Sequence, residues 1–283
     1  MRDLYCFVNG IKTRYWVCGD GPPVVLIHGL GASVEFWERN MAALGERFRV
    51  YALDLVGFGR TDKPNLEPSL EMAVRHVIGF LDAQGVERAS LVGNSMGGLI
   101  ALVAAGRFPE RVEKLVLVDS AGLGRRIHWG FRALSLPGIG ALAMRFRPNV
   151  RSMRLVRRYM CHDPNTLSDE WLARRVEMLQ APEARRALFT TLRYGVNLWG
   201  VRPHLVREAD ESLAHVTAPT LVVWGREDRM LPLADAMAGW ERIPGARLEV
   251  WEGCGHVPQL EKPDEFNRLV TSFLSESVTP LER

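Results

Sequence analysis

Three side chains in this sequence could together carry out nucleophilic catalysis: Ser95, Asp228 and His256. Ser95 is the centre of a Gly-x-Ser-x-Gly pentapeptide, 93–97, between the apolar segment 89–92 and a run of helix-forming residues. A serine hydroxyl is a weak nucleophile near neutral pH, so it needs a base, and the base needs an orienting acid. On a strand-to-helix turn, the first N–H groups of the helix can also stabilise an oxyanion. The pentapeptide therefore predicts a nucleophilic serine.

The base and the acid are predicted from the ends of two later strands. His256 lies in the glycine-bracketed segment 253–258, directly after a strand-like segment at 247–251. Asp228 ends the segment 220–228, in which an apolar strand is followed by an acidic turn. Each catalytic candidate thus follows its own strand, in the chain order serine, aspartate, histidine. Three unrelated loop residues would rarely share this arrangement, so we interpret them as one catalytic unit.

With these motifs the chain resembles the α/β-hydrolase superfamily along nearly its whole length. The resemblance rests on the segments 28–31, 54–64, 93–97, 225–228 and 255–258. It implies that Ser95 is the nucleophile, that His256 is the general base and then acid, and that Asp228 orients the histidine. It also implies an oxyanion hole formed by the backbone N–H groups of Leu30 and Met96. The implied fold is the α/β-hydrolase fold, a mostly parallel central sheet flanked by helices, with an inserted helical cap.

A second acid and the pocket residues are placed by position alone. Asp119 follows an apolar strand and is an alternative site for the acid in this fold, although the turn around Asp228 matches the superfamily more closely. The substrate pocket is predicted to include Ser33, Trp37 and Val257, which flank the oxyanion loop and the base. The helical spacing of Trp37 from two later apolar residues is also typical of a core position.

The alternation of short apolar runs and helical patterns predicts two domains. It stops near residue 122 and resumes after residue 213, which predicts a hydrolase core at 1–122 and 214–283 and a helical cap at 123–213. An interval of that length needs structure of its own in a compact domain. From Arg125 to Glu211 it holds sixteen arginines and eight acidic residues, a net charge of +8, whereas the whole chain carries +3.

The charge of the cap has two interpretations. Exposed arginines keep a helical cap soluble, and a basic cap can also attract an anionic substrate or an anionic lipid surface. The apolar segment 127–144, followed by several arginines, could lie on a membrane surface. We favour instead a role for 127–144 as the roof of the pocket. The mild sequence pI, about 8.8, and the lack of a recognised motif argue against nucleic-acid binding.

Composition predicts neither a cofactor nor a metal site. The four cysteines, of 283 residues, show no metal-ligand spacing. Cys6 and Cys18 could face each other across a hairpin turned at Asn9 and Gly10, although reduced thiols fit a cytoplasmic enzyme better. No run of about 18 apolar residues predicts a membrane span, and the N-terminus lacks the apolar stretch of a signal peptide. A cytoplasmic location is therefore predicted, as a monomer or a homo-oligomer.

The main predicted activity is hydrolysis of carboxylic esters with small to medium acyl chains through an acyl-enzyme. A serine at position 95 argues against haloalkane dehalogenases and epoxide hydrolases, which place aspartate there. One alternative is a carbon–carbon bond hydrolase of aromatic ring-fission products, because the elbow 93–98 resembles that subfamily and a basic cap suits its anionic dienoates. The ester prediction ranks first because the segment 30–33 lacks that subfamily's proline and Arg39 stands where it has asparagine.

Two further alternatives stay open. One is a monoacylglycerol lipase-like enzyme whose cap touches membranes. The other is a non-catalytic binding module on the same fold, which would normally have lost one of the three catalytic residues. Since all three are present, the sequence favours an enzyme.

Overall fold

The structure is a computed structural model, and it describes residues 1–277. The last residues of the predicted core, 278–283, lie outside the described part. The strands are β1 (Leu4–Val8), β2 (Ile11–Cys18), β3 (Pro23–Ile27), β4 (Arg49–Leu53), β5 (Ala89–Asn94), β6 (Val112–Val118), β7 (Val196–Asn197), β8 (Gly200–Val201), β9 (Thr220–Gly225) and β10 (Arg247–Trp251). The α-helices are α1 (Met41–Gly45), α2 (Leu70–Ala83), α3 (Met96–Arg107), α4 (Trp129–Leu134), α5 (Pro137–Arg145), α6 (Val150–Met160), α7 (Asp169–Met178), α8 (Pro182–Gly195), α9 (Pro203–Leu213), α10 (Leu233–Gly239), α11 (Pro258–Glu261) and α12 (Pro263–Ser275).

Eight of these strands form one sheet in the order β1-β2-β4-β3-β5-β6-β9-β10. β2 runs antiparallel to both of its neighbours, β1 and β4, and every other adjacent pair is parallel. Helical crossovers between parallel strands place helices on both faces of such a sheet. This arrangement confirms the fold class predicted from the sequence.

The N-terminal hairpin has the tight turn that its sequence predicts. Asn9 and Gly10 both adopt positive φ, 50° and 80°, as a two-residue hairpin turn requires. In this register Cys6 lies opposite Thr13 rather than opposite Cys18, and both cysteines are free thiols. The suggested approach of the two cysteines across the hairpin is therefore wrong.

The two faces of the sheet bury two separate cores. On β3, Val25 and Ile27 belong to the cluster that includes residues of α2, α3 and α9, whereas Val24 and Leu26 belong to the cluster that includes residues of α1 and α12. Alternation of this kind follows from the two-residue period of a strand. Burial on both faces explains why β3 is apolar at every position rather than at every second one.

The predicted cap interval, 123–213, contains six helices, α4 to α9, and the short hairpin β7–β8. Its last helix, α9, packs on α3, because Leu205, Ala209 and Leu213 belong to the same buried cluster as the core helices. α9 is therefore packed against the hydrolase core, although it lies inside the predicted cap interval 123–213. The division into a core and a cap domain stays a prediction.

The apolar segment 127–144 forms α4 and α5. Trp129 is 67% exposed and Leu142 is 56% exposed, so these two side chains face outward and do not roof a pocket as predicted. Across residues 1–277, no helix is long and apolar enough to span a bilayer.

Candidate active site

The predicted catalytic residues all follow the carboxyl ends of parallel strands. Ser95 follows β5, Asp228 follows β9, His256 follows β10, and the predicted oxyanion residue Leu30 follows β3. Carboxyl ends of parallel strands meet at one edge of a sheet, where open α/β folds bind their ligands. The topology therefore brings together residues that are far apart in the sequence.

Ser95 occupies a strained turn between β5 and α3. Its φ of 57° and ψ of −121° lie in a region that residues other than glycine rarely adopt, at a cost of about 1–3 kcal/mol. The surrounding backbone holds it there: the Ser95 N–H donates to the Val118 carbonyl at 2.9 Å, and the Ser95 carbonyl accepts from the N–H of Ala121 at 3.0 Å. These hydrogen bonds fix the backbone of the turn that carries the serine side chain.

The glycines of the pentapeptide are required by close backbone contacts. A Cβ on Gly93 would lie 2.3 Å from the carbonyl oxygen of Gly97. A Cβ on Gly97 would lie 2.2 Å from the carbonyl oxygen of Ile27 on β3. Both distances are far below van der Waals contact, so the turn around Ser95 forms only with glycine at these two positions.

His256 and Asp228 are in direct contact. The Nδ1 atom of His256 lies 2.7 Å from Oδ2 of Asp228, and both side chains are buried. Oδ1 of Asp228 accepts the N–H groups of Met230 at 2.7 Å and Leu231 at 3.0 Å. With the aspartate fixed in this way, Nδ1 of the histidine carries the proton and Nε2 is left to act as a base.

Asn94, the residue before the serine, links the loop of His256 to the strand-to-helix turn by a hydrogen bond. Its Nδ2 donates to the carbonyl oxygens of His256 and Val118, each at 3.1 Å. The N–H of His256 donates to the carbonyl of Met160 at the end of α6, at 2.8 Å. The histidine backbone is therefore held from the sheet on one side and from the cap interval on the other. The role of Asn94 could not be predicted from the sequence, because nothing local indicates its distant partners His256 and Val118.

The predicted oxyanion hole lies against the nucleophile. A Cβ on Gly29 would lie 3.0 Å from Cβ of Ser95 and 3.5 Å from its Oγ, so this loop passes directly beside the serine. Leu30 is the next residue of that loop. Met96 is the first residue of α3, and its N–H therefore has no intrahelical partner. Two backbone N–H groups on either side of a serine can stabilise an oxyanion.

We expect Gly29→Ala to lower kcat by about 10- to 100-fold, because the added methyl group would displace the Ser95 hydroxyl or the oxyanion loop. The melting temperature should change little. Initial rates of ester hydrolysis and the rate at which a fluorophosphonate labels Ser95 measure the effect. Gly138→Ala is the matched control, since a Cβ there meets no atom within 4 Å. Equal rates for both variants would show that the loop does not confine the nucleophile.

A buried ion cluster stabilises the segment that follows the oxyanion loop. Arg14 contacts Glu35 at 2.7 Å and Asp54 at 3.3 Å. Oδ1 of Asp54 accepts the N–H of Val34 at 2.8 Å, just beyond the loop. Burial raises the pKa of Asp54 to about 6, although Arg14 opposes that shift. The cluster fixes the chain after β3 and so restrains the loop that carries Leu30.

A narrow cavity separates the oxyanion loop from the cap helices α7 and α8. It is lined by Gly31, Ala32, Ser33, Gly57, Phe58, Gly59, Lys63, Arg175, Met178, Leu179 and Ala184. Two lining residues, Lys63 and Arg175, are cationic, and the lining includes no acidic residue. The cavity holds only about 10 Å³, and its lining includes Gly31, two residues beyond the glycine that lies beside the nucleophile. Positive charge therefore lies close to the oxyanion loop.

Arg175 on α7 is a charged residue of this cavity that the sequence does not distinguish from the other arginines of the cap interval. Within residues 1–277, its Nε and Nη1 atoms are buried and have no hydrogen-bond partner. Its guanidinium carbon lies 5.2 Å from the centre of the Phe36 ring, and a Cβ on Gly31 would lie 3.6 Å from its Nη2. Burial lowers the pKa of Arg175 to about 10, so the group stays charged at neutral pH.

The predicted pocket residues divide between the cavity and the core. Ser33 lines the cavity. Trp37 is fully buried and packs near Phe266 on α12, and Val257 is fully buried in the same cluster. Both side chains belong to this core cluster, and neither lines the cavity. Their prediction as pocket residues is therefore corrected.

One group of three side chains with metal-binding atoms exists within the described residues. It consists of Asp119, Asp228 and His256, whose ligand atoms lie within 4.8 Å of one another. The hydrogen bond between His256 and Asp228 already uses two of these residues. The arrangement therefore fits a serine–histidine–aspartate unit with an additional carboxyl group better than it fits a metal site.

Comparison with known proteins agrees with this geometry. The sequence profile of the alpha/beta hydrolase fold family matches residues 22–263, and the chain belongs to that family. It is 34% identical over 271 residues to a 2-hydroxy-6-oxo-2,4-heptadienoate hydrolase of Pseudomonas putida, covering 94% of each chain. It is 35% identical over 269 residues to a 2-hydroxy-6-oxo-6-phenylhexa-2,4-dienoate hydrolase of Comamonas testosteroni, covering 92% of this chain and 90% of the relative.

A solved structure gives the same result. A meta-cleavage product hydrolase from Pseudomonas fluorescens superimposes with a TM-score of 0.82 at 32% identity, covering 96% of this chain and 97% of its own. The chain is therefore a hydrolase by family. The names of these relatives fit carbon–carbon bond hydrolysis, one of the alternatives predicted from the sequence, better than ester hydrolysis, the main prediction.

Proposed function

We propose that this protein hydrolyses a carbon–carbon bond in 2-hydroxy-6-oxo-dienoates, the substrate class named by its relatives. Ser95 is the nucleophile, His256 the base and Asp228 the residue that orients it. The backbone N–H groups of Leu30 and Met96 receive the oxyanion. The observation that carries this proposal is the unpaired guanidinium of Arg175 beside the oxyanion loop.

A buried charge without a partner is costly, and proteins normally pair it or bind a counter-ion there. The cavity beside the oxyanion loop has no acidic lining residue that could pair with Arg175. Lys63, the other cation of the lining, already donates to the carbonyls of Gly59 and Thr61. A dienoate brings a carboxylate of its own, whereas a simple ester brings no negative charge. Binding a dienoate would therefore satisfy both the charge and the unused donors of Arg175.

The chemistry of the substrate suits a site with cations at one end and a serine at the other. Moving the proton of the 2-hydroxyl to C5 gives a 2-oxo tautomer that keeps the ketone at C6. A nucleophile then adds to C6, and the C5–C6 bond breaks with its electron pair delocalised onto the 2-oxo oxygen. Water supplies hydroxide to the acyl half and a proton to the dienolate half. The products are a carboxylic acid and 2-hydroxypenta-2,4-dienoate.

The protein groups act at both ends of this substrate. Ser95, deprotonated by His256, attacks C6, and the oxyanion that forms lies between the two N–H donors. The charge of the leaving dienolate gathers at its C1–C2 end, where Arg175 holds the carboxylate. A Cβ on Gly29 would lie against Ser95 and a Cβ on Gly31 would lie 3.6 Å from Nη2 of Arg175, so one short loop runs past both groups.

We expect Arg175→Gln to lower kcat/KM for a dienoate by roughly 30- to 1000-fold, the range typical of removing one partner of a buried charge pair. Hydrolysis of p-nitrophenyl acetate, which carries no carboxylate, should change far less. Arg174→Gln is the matched control, because Arg174 is half exposed and pairs with Glu38 on the surface. Equal losses on the charged and the neutral substrate would exclude Arg175 as the carboxylate site.

A further inference from the structure

A second buried carboxyl group lies behind the histidine–aspartate pair. Asp119 is the first residue after β6, it has no exposed surface, and its φ is 41°. Its N–H donates to the carbonyl of Val223 at 2.9 Å, and its Oδ1 accepts the N–H of Gly225 at 3.1 Å. Both partners belong to β9, the strand that leads into the turn of Asp228. Asp119 is thus fixed beside the acid without being part of its turn.

The two carboxyl groups are too close to be ionised together at low cost. Oxygen atoms of Asp119 and Asp228 and a ring nitrogen of His256 lie within 4.8 Å of one another. Two buried carboxylates at that distance repel strongly, so the pair retains one proton.

Hydrogen bonding decides which carboxyl group keeps the proton. Asp228 accepts two backbone N–H groups and faces Nδ1 of His256, so its two oxygens already have three hydrogen-bond partners. Asp119 accepts one N–H, and within the described residues its Oδ2 is buried with no partner. Burial and the negative charge of Asp228 raise the pKa of Asp119 well above its ordinary range. The proton therefore resides on Asp119.

We infer that Asp119 is a positioning residue of the catalytic unit, whose Oδ2–H donates a hydrogen bond to Asp228 and holds that carboxylate against His256. The inference does not depend on which substrate is cleaved, because it concerns only the serine, histidine and aspartate. A proton on Oδ2 of Asp119 also accounts for the lack of a donor to that buried oxygen, because the protonated oxygen is itself a donor.

The titratable groups around Asp119 are compatible with a retained proton. Glu261 on α11 adds negative charge and is bound by the N–H groups of Gly255 and His162. Burial raises the pKa of the Cys254 thiol, with the negative charges of Glu261 and Asp119 acting in the same direction, so this neighbour is neutral. Apart from His256, none of these groups offers a positive charge that would ionise Asp119.

The test compares Asp119→Asn with Asp119→Leu. The asparagine oxygen can accept from Gly225 while its amide donates to Asp228, which reproduces the pattern of the protonated acid. Leucine has a similar size and no donor. We expect leucine to lower kcat and the rate of fluorophosphonate labelling of Ser95 by roughly 10- to 100-fold, with KM little changed. Asparagine should recover most of that loss.

Two results of this comparison would overturn the inference. Full activity in the leucine variant would show that Asp228 needs no donor at this position. An asparagine variant as impaired as Asp228→Asn would show that Asp119 itself acts as the ionised acid. Labelling of Ser95 requires no dienoate, so the outcome stays separate from the success or failure of the proposed substrate.

Thermal unfolding gives a second readout that does not require the leucine variant to fold. Asp119 keeps its proton when folded but loses it when unfolded above pH of about 4. Unfolding then releases a proton, so wild-type stability falls as the pH rises from about 4 toward the raised pKa of the folded state. Asparagine does not titrate, so the stability of Asp119→Asn lacks this fall. The melting temperature of the variant minus that of the wild type should therefore increase as the pH rises across this range. A pH-independent difference would mean that Asp119 is ionised in the folded protein, contrary to the inference.

Discussion

Ser95→Ala is expected to reduce turnover by about 10⁴-fold or more on every substrate, because the nucleophile is lost while the binding site and oxyanion donors remain. The fold should persist, since the contacts that hold the elbow are backbone hydrogen bonds. Initial rates on a dienoate and on a p-nitrophenyl ester measure the effect, with circular dichroism and melting temperature as checks on folding.

The matched control for this variant is Ser90→Ala, on the same strand but away from the elbow. It should retain wild-type rates. Cys254 cannot replace the missing nucleophile, because burial raises the pKa of its thiol and keeps it protonated. Substantial turnover in Ser95→Ala would show that the reaction does not proceed through the strained serine.

Asp228→Asn is expected to lower kcat on the order of 10³- to 10⁴-fold. The amide would favour the wrong tautomer of His256, with the proton on Nε2, and would no longer stabilise the imidazolium that forms during the reaction. Rates measured across the pH range, together with fluorophosphonate labelling of Ser95, give the loss.

Asp235→Asn is the matched control for the acid, because Asp235 lies on α10 and binds Arg126 rather than the histidine. It should retain activity. If Asp228→Asn were nearly as active as the wild type, the contact between His256 and Asp228 seen in the structure would not be the catalytic one.

The sequence alone sufficed where structure is local. The turn at Asn9 and Gly10 and the strand before Ser95 follow from turn chemistry and apolar patterning, which act over a few residues. Ser95 and His256 could be located in the same way, since each sits in a short glycine-containing motif after an apolar strand.

Features that depend on packing between distant segments could not be predicted. Arg175 is one of sixteen arginines in the cap interval. Its neighbour Arg174 is also an arginine, but its side chain is exposed and pairs with Glu38. Only the placement of Arg175 at the cavity between α7 and the oxyanion loop distinguishes the two arginines. The prediction of Trp37 as a pocket residue was wrong for a related reason. Its proximity to Leu30 in the sequence does not show that its ring is buried in the core.

The position of Arg175 also bears on the order of the functional alternatives, and the sequence does not show that position. A missing proline in the loop at 30–33 favoured an esterase over a carbon–carbon hydrolase. A catalytic serine with two N–H donors serves both reactions, so the triad could not discriminate between them. The positive charge of Arg175 supports the carbon–carbon hydrolase that we propose, because it would favour a substrate that carries a carboxylate.

The most direct test of the proposed function is a comparison of kcat/KM on two substrate series, with Ser95→Ala as the blank. One series contains 2-hydroxy-6-oxo-dienoates, with both products identified, and the other contains p-nitrophenyl esters with acyl chains from two to sixteen carbons. We predict Ser95-dependent release of a carboxylic acid and 2-hydroxypenta-2,4-dienoate, with a higher kcat/KM than for any ester. Ser95-dependent ester hydrolysis without cleavage of any dienoate would contradict the proposal and establish an esterase.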